Sequence, residues 1–276
     1  MQEIHVVVGR DVRLVRLPEP DAECAPGLRW GDASLLLTPA WLAKHGHIRR
    51  LQRTYERELR PRDLSLEEDA VFCLLGGFGI RAEVAIAAFQ QLRSAGLFKG
   101  QLDRAGIERE LRQPLQLRNG RSSKYRFPSN RALYITAALE QLRRVPPPGE
   151  DLILRSYLLG IPGIGPKTAS FIVRNHLGSD RVAIIDIHIL RAGQISQLFP
   201  AVFRLPQDYY GLERRFLAFA DAAQVPASIL DLTIWDIMRQ LPHGPRQAAA
   251  SLNRRLLLDG SAVPLYHPTR DLSLMG

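Results

Sequence analysis

Two short valine-rich runs open the chain. Residues 5–8 read His-Val-Val-Val and residues 12–17 read Val-Arg-Leu-Val-Arg-Leu, with a Gly-Arg-Asp connection between them. Runs of β-branched residues separated by a short glycine-containing connection favour a β-hairpin. Residues 34–37, Ser-Leu-Leu-Leu, are apolar enough to add a third strand. The pattern therefore predicts a small β-rich segment over residues 1–37.

Apolar residues at helical spacing follow through most of the remaining chain. Thr38 and Pro39 supply a cap and a first-turn proline for a first helix, and Ser65 with Glu68 forms a capping box ahead of the next. Two helices flank a glycine-rich turn at residues 160–167. The other predicted helices cover residues 38–59, 65–75, 82–97, 103–112, 132–144, 188–198, 207–224, 227–241 and 246–258.

The segment Val-Pro-Pro-Pro-Gly at residues 145–149 is the clearest interruption of the helical pattern. Three consecutive prolines cannot continue a helix and favour an extended link. We place a boundary between two helical lobes here, which predicts a mainly α, two-lobed fold with a small N-terminal β segment. The predicted division is a β-rich segment at 1–37, a first lobe at 38–145, a second lobe with the glycine turn at 146–200, and C-terminal helices at 201–276.

The glycine-rich turn carries the most specific chemistry in the sequence. It reads Gly-Ile-Pro-Gly-Ile-Gly-Pro-Lys and contains Gly163 and Gly165, which allow backbone conformations that other residues adopt at a cost. A helix that begins in this way directs backbone N–H groups outward and can bind a phosphate. Lys167 lies one step inside that helix. Asp186 stands just ahead of a later helix.

These residues resemble the helix-hairpin-helix DNA glycosylase superfamily. The match rests on the G-I-G-P-K hairpin, its lysine, and an aspartate in the context I-I-D-I-H-I-L-R. The resemblance implies the HhH-GPD glycosylase fold, with Lys167 and Asp186 as catalytic residues. It also implies that Gly163, Ile164 and Gly165 contact the DNA backbone.

Two further strings indicate a branch of that superfamily. Residues 125–135, Y-R-F-P-S-N-R-A-L-Y-I, and residues 230–235, L-D-L-T-I-W, resemble segments of archaeal and bacterial 8-oxoguanine glycosylases. They imply a bifunctional enzyme of base excision repair that removes a damaged base and then cuts the abasic site as a lyase. This chain continues past the point where those relatives end, so the identity of the base stays open.

Four more residues are candidates for contact with DNA, and each has a structural alternative. Phe78 tips a glycine-rich loop and either wedges between base pairs or packs into the core. Arg131 either binds a phosphate or forms a salt bridge joining the two lobes. His188 either lies near the DNA backbone or caps its helix. Trp235 either stacks on an extruded base or belongs to the core.

Composition and charge narrow the partners. A net charge of +9 with a pI near 10.0 indicates a polyanionic partner, here double-stranded DNA with a modified base.

Cys24 and Cys73 are too few for the four-cysteine iron–sulfur cluster of another branch of the superfamily, and they imply no disulfide framework. We expect no metal centre and no cofactor, with the hairpin as a candidate site for a structural monovalent cation. No apolar run is long enough for a membrane, and we expect a monomer in the cytoplasm, associated with the nucleoid.

The two catalytic candidates fit cleavage of an N-glycosidic bond. An unprotonated lysine amine can attack C1′ of the sugar, displace the base and leave a Schiff base that permits β-elimination of the 3′ phosphate. A carboxylate stabilises the positive charge that develops on the sugar. The target base is inaccessible in the stacked duplex, so its nucleotide must be flipped out.

Three functions remain open at this stage. The first is a bifunctional glycosylase for 8-oxoguanine. The second is a glycosylase that removes a bulky modified pyrimidine from foreign or phage DNA as a defence. The third is a non-catalytic DNA-binding protein, which would use the hairpin but would have no need of both Lys167 and Asp186.

Overall fold

An antiparallel hairpin begins the chain, as the sequence predicts. Strands β1 (Gln2–Val8) and β2 (Asp11–Leu17) pair in continuous register, and the connecting Gly9 has a φ of 59°. One face of the hairpin is buried through Val6 and Leu17, while Val7 on the other face is 61% exposed. The alternation reflects the period of two in a strand that has one face on the core.

The prediction of a third strand at residues 34–37 is wrong. Residues 34–37 form turns because Oδ1 of Asp32 accepts hydrogen bonds from both the N–H and the hydroxyl of Ser34, each 2.7 Å long. This side chain to backbone contact curls the chain where the apolar run favours a strand. The preceding segment forms a small second hairpin, β3 (Glu23–Ala25) and β4 (Leu28–Arg29).

The computed structural model describes residues 1–52, 64–77 and 79–257, without the side chain of Arg255. The fold is mainly helical, which confirms the predicted class. A short pair, β5 (Leu115–Gln116) and β6 (Ser122–Ser123), accompanies the helices. These helices are α1 (Pro39–Gln52), α2 (Leu66–Leu75), α3 (Ala82–Ser94), α4 (Arg104–Arg112), α5 (Pro128–Arg144), α6 (Asp151–Leu158), α7 (Pro166–Leu177), α8 (Ile187–Ile195), α9 (Tyr209–Ala222), α10 (Ala227–Gln240) and α11 (His243–Leu257).

The chain divides into two compact units. The first combines Met1–Tyr55 with Asp180–Gly276, and the second is Glu56–Ser179. In the first unit, α1 packs on α10 and on the N-terminal hairpin, and α8 packs on both α10 and α11. Its core contains Trp30 and Phe219, whose ring centroids are 5.9 Å apart.

The second unit contains α2 to α7. Its helix α2 begins with the predicted capping box, in which Ser65 Oγ accepts from the N–H of Glu68 and Glu68 accepts from the N–H of Ser65. The rings of Phe72 and Phe89 meet edge to face at 5.5 Å in its core. Helix α2 packs on α5 and α7, and α6 packs on α7.

This division differs from the predicted one. The proline segment at residues 145–149 lies inside the second unit, because α5 before it and α7 after it both pack on α2. The first unit joins residues from both ends of the chain, including the predicted β-rich segment and the C-terminal helices.

None of the helices in the described ranges is by itself long and apolar enough to cross a membrane, although the bent pair Tyr209–Ala222 and Ala227–Gln240 meets that test by combined length and composition.

Candidate active site

The glycine-rich turn joins α6 to α7 in the second unit. The N–H of Ile161 donates to Leu158 and the N–H of Ile164 donates to Ile161, over 3.0 and 3.1 Å. Both isoleucine side chains are buried, which anchors the turn from inside. Gly163 has a φ of 83°, and a Cβ there would lie 2.3 Å from the ring of Tyr134 on α5. The turn therefore needs glycine at this position both for its conformation and for space.

Helix α7 begins with an open N-terminus. Gly165 is its N-cap in an extended conformation and provides no side chain to cap the helix, and Pro166 follows at the first helical position. A Cβ at Gly165 would meet nothing within 4 Å, so the approach to the first turn is clear. Such a helix start favours an anion through its N–H groups and its dipole.

Lys167 lies in the first turn of α7 and is half-buried. Its Nζ is 4.6 Å from the ring centroid of Phe171, one helical turn further on. The ring of Phe171 in turn contacts that of Phe72 at 6.4 Å, with the planes steeply inclined. The side chain of Lys167 thus follows an aromatic surface beside the open helix start.

Asp186 belongs to the first unit and follows a buried extended segment. The hydroxyl of Tyr209 donates to the carbonyl of Ala183 over 2.8 Å and accepts from the N–H of Ile185 over 3.3 Å. Oε1 of the buried Glu213 accepts from the N–H of Ala183 over 3.0 Å. Two side chains of α9 therefore fix the backbone that leads to Asp186.

The carboxylate of Asp186 is the N-cap of α8. Its Oδ1 accepts from the N–H groups of His188 and Ile189, at 2.8 and 3.0 Å. Within the described part of the chain, no hydrogen bond reaches Oδ2. One oxygen of the half-buried carboxylate is thus used to fix its orientation, and the other is available to a ligand.

His188 packs beside Trp235 and a group of arginines. The two rings meet nearly edge to face at 6.0 Å, and the guanidinium of Arg239 lies 4.8 Å from the ring centroid of Trp235. Burial lowers the pKa of His188, the charge of Asp186 opposes this, and Arg191, Arg246 and Arg239 lower it further. Nδ1 of His188 is buried and has no hydrogen-bond partner among the described residues. Trp235 itself is half-buried and is not part of the closed core.

Arg131 has a local role within the second unit. Its Nη2 donates to the carbonyl of Gly76 over 3.3 Å, and the guanidinium lies close enough to Tyr125 to affect it electrostatically. Among the described residues, no carboxylate pairs with Arg131. Phe78, which follows in the same glycine-rich loop, lies outside the described residues.

The structure thus gathers the predicted residues in two places. The second unit holds Lys167 with the hairpin residues Gly163, Ile164 and Gly165, and the first unit holds Asp186 with His188 and Trp235. Five side chains near these residues were not predicted from the sequence: Tyr134, Tyr209, Glu213, Arg239 and Arg246. Only Arg246 had a signal, because it lies in a predicted helix that also contains Arg254 and Arg255.

The described residues hold no group of three His, Cys, Asp or Glu side chains that could bind a metal ion. Burial raises the pKa of Cys24 to about 12, so this thiol stays protonated at neutral pH. A monovalent cation at the hairpin would use backbone carbonyls and stays a prediction.

Comparison with known proteins supplies independent information. A family model described as 8-oxoguanine DNA glycosylase matches residues 49–225. The chain is 33% identical over 201 residues to an 8-oxoguanine DNA glycosylase/AP lyase of Saccharolobus solfataricus, which covers 66% of this chain and 89% of that protein. A protein of Metallosphaera sedula with the same description is 36% identical over 117 residues, 40% of this chain and 57% of that protein.

Two solved structures are similar as well. The 8-oxoguanine DNA glycosylase of Methanocaldococcus jannaschii matches with a TM-score of 0.53 and 26% identity, over 72% of this chain and 94% of that one. The same enzyme in complex with a 15mer DNA containing 8-oxoguanine matches with a TM-score of 0.53 and 25% identity, over 71% and 96%.

Proposed function

The chain belongs to the 8-oxoguanine DNA glycosylase family, and we propose from this premise that it is a bifunctional glycosylase and abasic-site lyase acting on 8-oxoguanine in double-stranded DNA. The observation that carries the proposal is a pair of local geometries inside the matched region. Lys167 lies in the first turn of a helix with an open N-terminus, and Asp186 caps another helix with one oxygen left over. DNA binding alone needs neither group.

In this proposal Lys167 is the nucleophile. The lone pair of Nζ forms a bond to C1′ while the bond between C1′ and the base breaks. The base leaves with the electron pair of the broken bond and takes up a proton. Loss of the amine proton and opening of the sugar ring give a Schiff base. Removal of a proton from C2′ then expels the 3′ phosphate. The amine must be unprotonated for the first step.

Asp186 stabilises the positive charge that the sugar acquires as the base departs. Because Oδ1 is held by two backbone N–H groups, the carboxylate keeps its orientation, and Oδ2 can face the sugar. A carboxylate that is oriented before the reaction needs no rearrangement as the charge develops.

The remaining candidates would position the DNA. The open start of α7 at Gly165 would bind a backbone phosphate beside Lys167 and fix the register without reading sequence. Trp235 offers an aromatic face to an extruded base. Because Arg239 lies over this ring, the base would stack on the face opposite Arg239. His188, which packs beside Trp235, would lie near the same nucleotide.

Borohydride trapping tests the proposal, because the reagent reduces the Schiff base and links the enzyme to DNA. We expect the wild-type protein to be trapped on duplexes with 8-oxoguanine or with an abasic site. Lys167→Gln should abolish trapping, while Lys124→Gln, at an exposed lysine of the same unit, should leave it unchanged. If no adduct forms with the 8-oxoguanine duplex and none forms with the abasic-site duplex, the lyase activity is contradicted.

A substrate panel distinguishes the alternatives. Trapping only on a duplex with a bulky modified pyrimidine would favour a defence function, for which the supporting observation is that helices α10 and α11 lie beyond the region matched by the family. Binding without base release from any duplex would favour a non-catalytic protein. Light scattering of the free protein would test the expected monomer, and its location at the nucleoid stays a prediction.

A further inference from the structure

The N-terminal hairpin and α1 enclose a cationic cleft that lies mostly outside the family match. The cleft has a volume of about 600 Å³ and is formed entirely by residues of the first unit. Its charged and polar walls are Asp11, Arg13 and Arg16 from β2, His47 and Arg50 from α1, and Gln224. The family match begins at residue 49, so the hairpin wall is an addition that the matched region does not contain.

The register of the hairpin explains why the cleft exists. Arg13 pairs with Val6, and both therefore lie on the face of the hairpin that turns towards α1. Val6 is buried, whereas Arg13, directly opposite it on β2, is exposed. The space between β2 and α1 is therefore lined by arginine where a closed core would have an apolar residue.

Arg50 forms the opposite wall. Its Nη1 donates to the carbonyl of Gln224 over 3.3 Å, which orients the guanidinium along the cleft. Nε2 of the neighbouring His47 lies 2.9 Å from the carbonyl of Ala223. Burial lowers the pKa of His47 and Arg50 lowers it further, so His47 is neutral at pH 7 and the arginines carry the positive charge.

The cleft has few competing negative charges. Among the described residues, no carboxylate lies within ion-pair distance of Arg13 or Arg50, although Asp11 also lines the cleft. Nε of Arg16 pairs with Glu3 at 3.0 Å, and both side chains are more than half exposed. Exposed ion pairs of this kind are weak, so an anion can displace the glutamate.

We propose that this cleft binds backbone phosphates of duplex DNA through residues separate from those of the candidate active site. An open groove with arginines on both walls suits phosphates, which accept two parallel hydrogen bonds from a guanidinium. The contact would not depend on the DNA sequence. It would raise the affinity for duplex DNA and lengthen the segment that the protein covers. The identity of the ligand as DNA rests on the proposed function.

Salt dependence of binding is the decisive measurement. Each neutralised phosphate contributes about 0.9 to the slope of log Kd against log salt concentration. We expect Arg13→Gln combined with Arg50→Gln to lower this slope by about 2 on a long undamaged duplex. On a series of shorter duplexes centred on the lesion, the difference between the two slopes should shrink once a duplex no longer extends to the cleft.

Two matched variants separate charge from structure. Arg13→Lys with Arg50→Lys keeps the charge and should retain most of the slope, while Arg214→Gln with Arg215→Gln, at exposed positions of α9 outside the cleft, should leave it unchanged. Single-turnover base release at saturating enzyme should be the same in all four proteins. Equal slopes for wild type and the glutamine variant on the long duplex, or an equal loss in the lysine variant, would overturn the proposal.

The result is independent of the catalytic assignment. Binding to undamaged duplex requires no base release, so a wild-type protein that fails to excise 8-oxoguanine would contradict the proposed function and still allow the cleft to be tested. A loss of slope that stays the same at every duplex length would place the lost contacts at the lesion and contradict the cleft.

Discussion

The carboxylate of Asp186 accepts a hydrogen bond from the backbone N–H of Ile189 over 3.0 Å, and so caps the helix that it precedes. The same side chain is the proposed stabiliser of charge on the sugar. In this proposal one residue contributes to both stability and chemistry, and alanine substitution alone would not separate the two effects. The structure allows them to be separated, because asparagine caps helices about as well as aspartate does.

We predict that Asp186→Asn and Asp186→Ala both lose base release, and that only the alanine variant loses stability. The alanine variant should unfold with a free energy lower by about 1 kcal/mol, the usual cost of a lost N-cap. Urea denaturation and single-turnover base release measure the two effects.

Asp103→Ala is the matched control for this comparison. Oδ1 of Asp103 caps α4 by accepting from the N–H of Gly106 over 2.7 Å. The variant should lose similar stability and keep base release. Base release by Asp186→Asn at the wild-type rate would contradict the role of the carboxylate charge.

The two hairpin glycines should respond differently to alanine. At Gly163 the positive φ and the approach of Tyr134 make a methyl group incompatible with the turn, and we expect a loss of more than about 1 kcal/mol in stability. At Gly165 the φ is −90° and a methyl group meets nothing, so stability should hardly change. If a phosphate approaches Gly165 closely, its alanine variant should nevertheless bind DNA more weakly.

Thermal unfolding and DNA affinity of both variants check this prediction. Unchanged DNA affinity in a fully stable Gly165→Ala protein would show that no phosphate approaches the start of α7. Unchanged stability of Gly163→Ala would contradict the assigned turn conformation.

We predict that Tyr209→Phe reduces the rate of base release more than it reduces DNA affinity. Its hydroxyl serves both the carbonyl of Ala183 and the N–H of Ile185, and its loss leaves these buried groups unsatisfied at a cost of roughly 1–3 kcal/mol. The backbone leading to Asp186 would then be less well fixed. Single-turnover rates and Kd, measured separately, show which quantity changes.

Tyr157→Phe serves as a comparison, since that hydroxyl also donates to backbone carbonyls, those of Gln141 and Val145, but in the other unit. Its base release should stay close to wild type. If Tyr209→Phe loses stability without any change in the rate of base release, Tyr209 has no positioning role.

Features that depend on local chemistry could be predicted from the sequence. The capping box of Ser65 and Glu68, the first hairpin, and the start of α7 are all set by residues within a few positions of one another. The error at residues 34–37 has a local cause too, because the bond from Ser34 to Asp32 outweighs a short apolar run that fits several conformations.

Features that depend on distant contacts could not be predicted. The support of the Asp186 segment joins Ala183 to Glu213, 30 residues away in sequence, and nothing in the pattern of α9 marks a buried glutamate as its partner. Arg49 lies next to Arg50 on α1, and nothing in this basic stretch marks Asp236, 187 residues further on, as its partner. The same stretch supplies Arg50 to the cleft, so neighbouring arginines have separate roles.

The last prediction concerns pH. Burial lowers the pKa values of His45, His47 and His188 below the ordinary 6.5. As the pH falls through 6.5, the unfolded chain takes up protons on these residues before the folded chain does, so the free energy of unfolding should decrease down to the folded-state pKa values. Above about pH 7.5 neither state takes up these protons, and this contribution should vanish.

Urea denaturation across this pH range checks the sign, and His47→Gln tests one contributor. The glutamine amide can still donate to the carbonyl of Ala223, so the hydrogen bond is kept while the titrating group is removed. We expect the variant to lose less stability than the wild type between about pH 7.5 and pH 5.5, and to show the same pH dependence as the wild type above that range. A variant curve that runs parallel to the wild-type curve throughout would mean that His47 has the same proton affinity in the folded and unfolded chains.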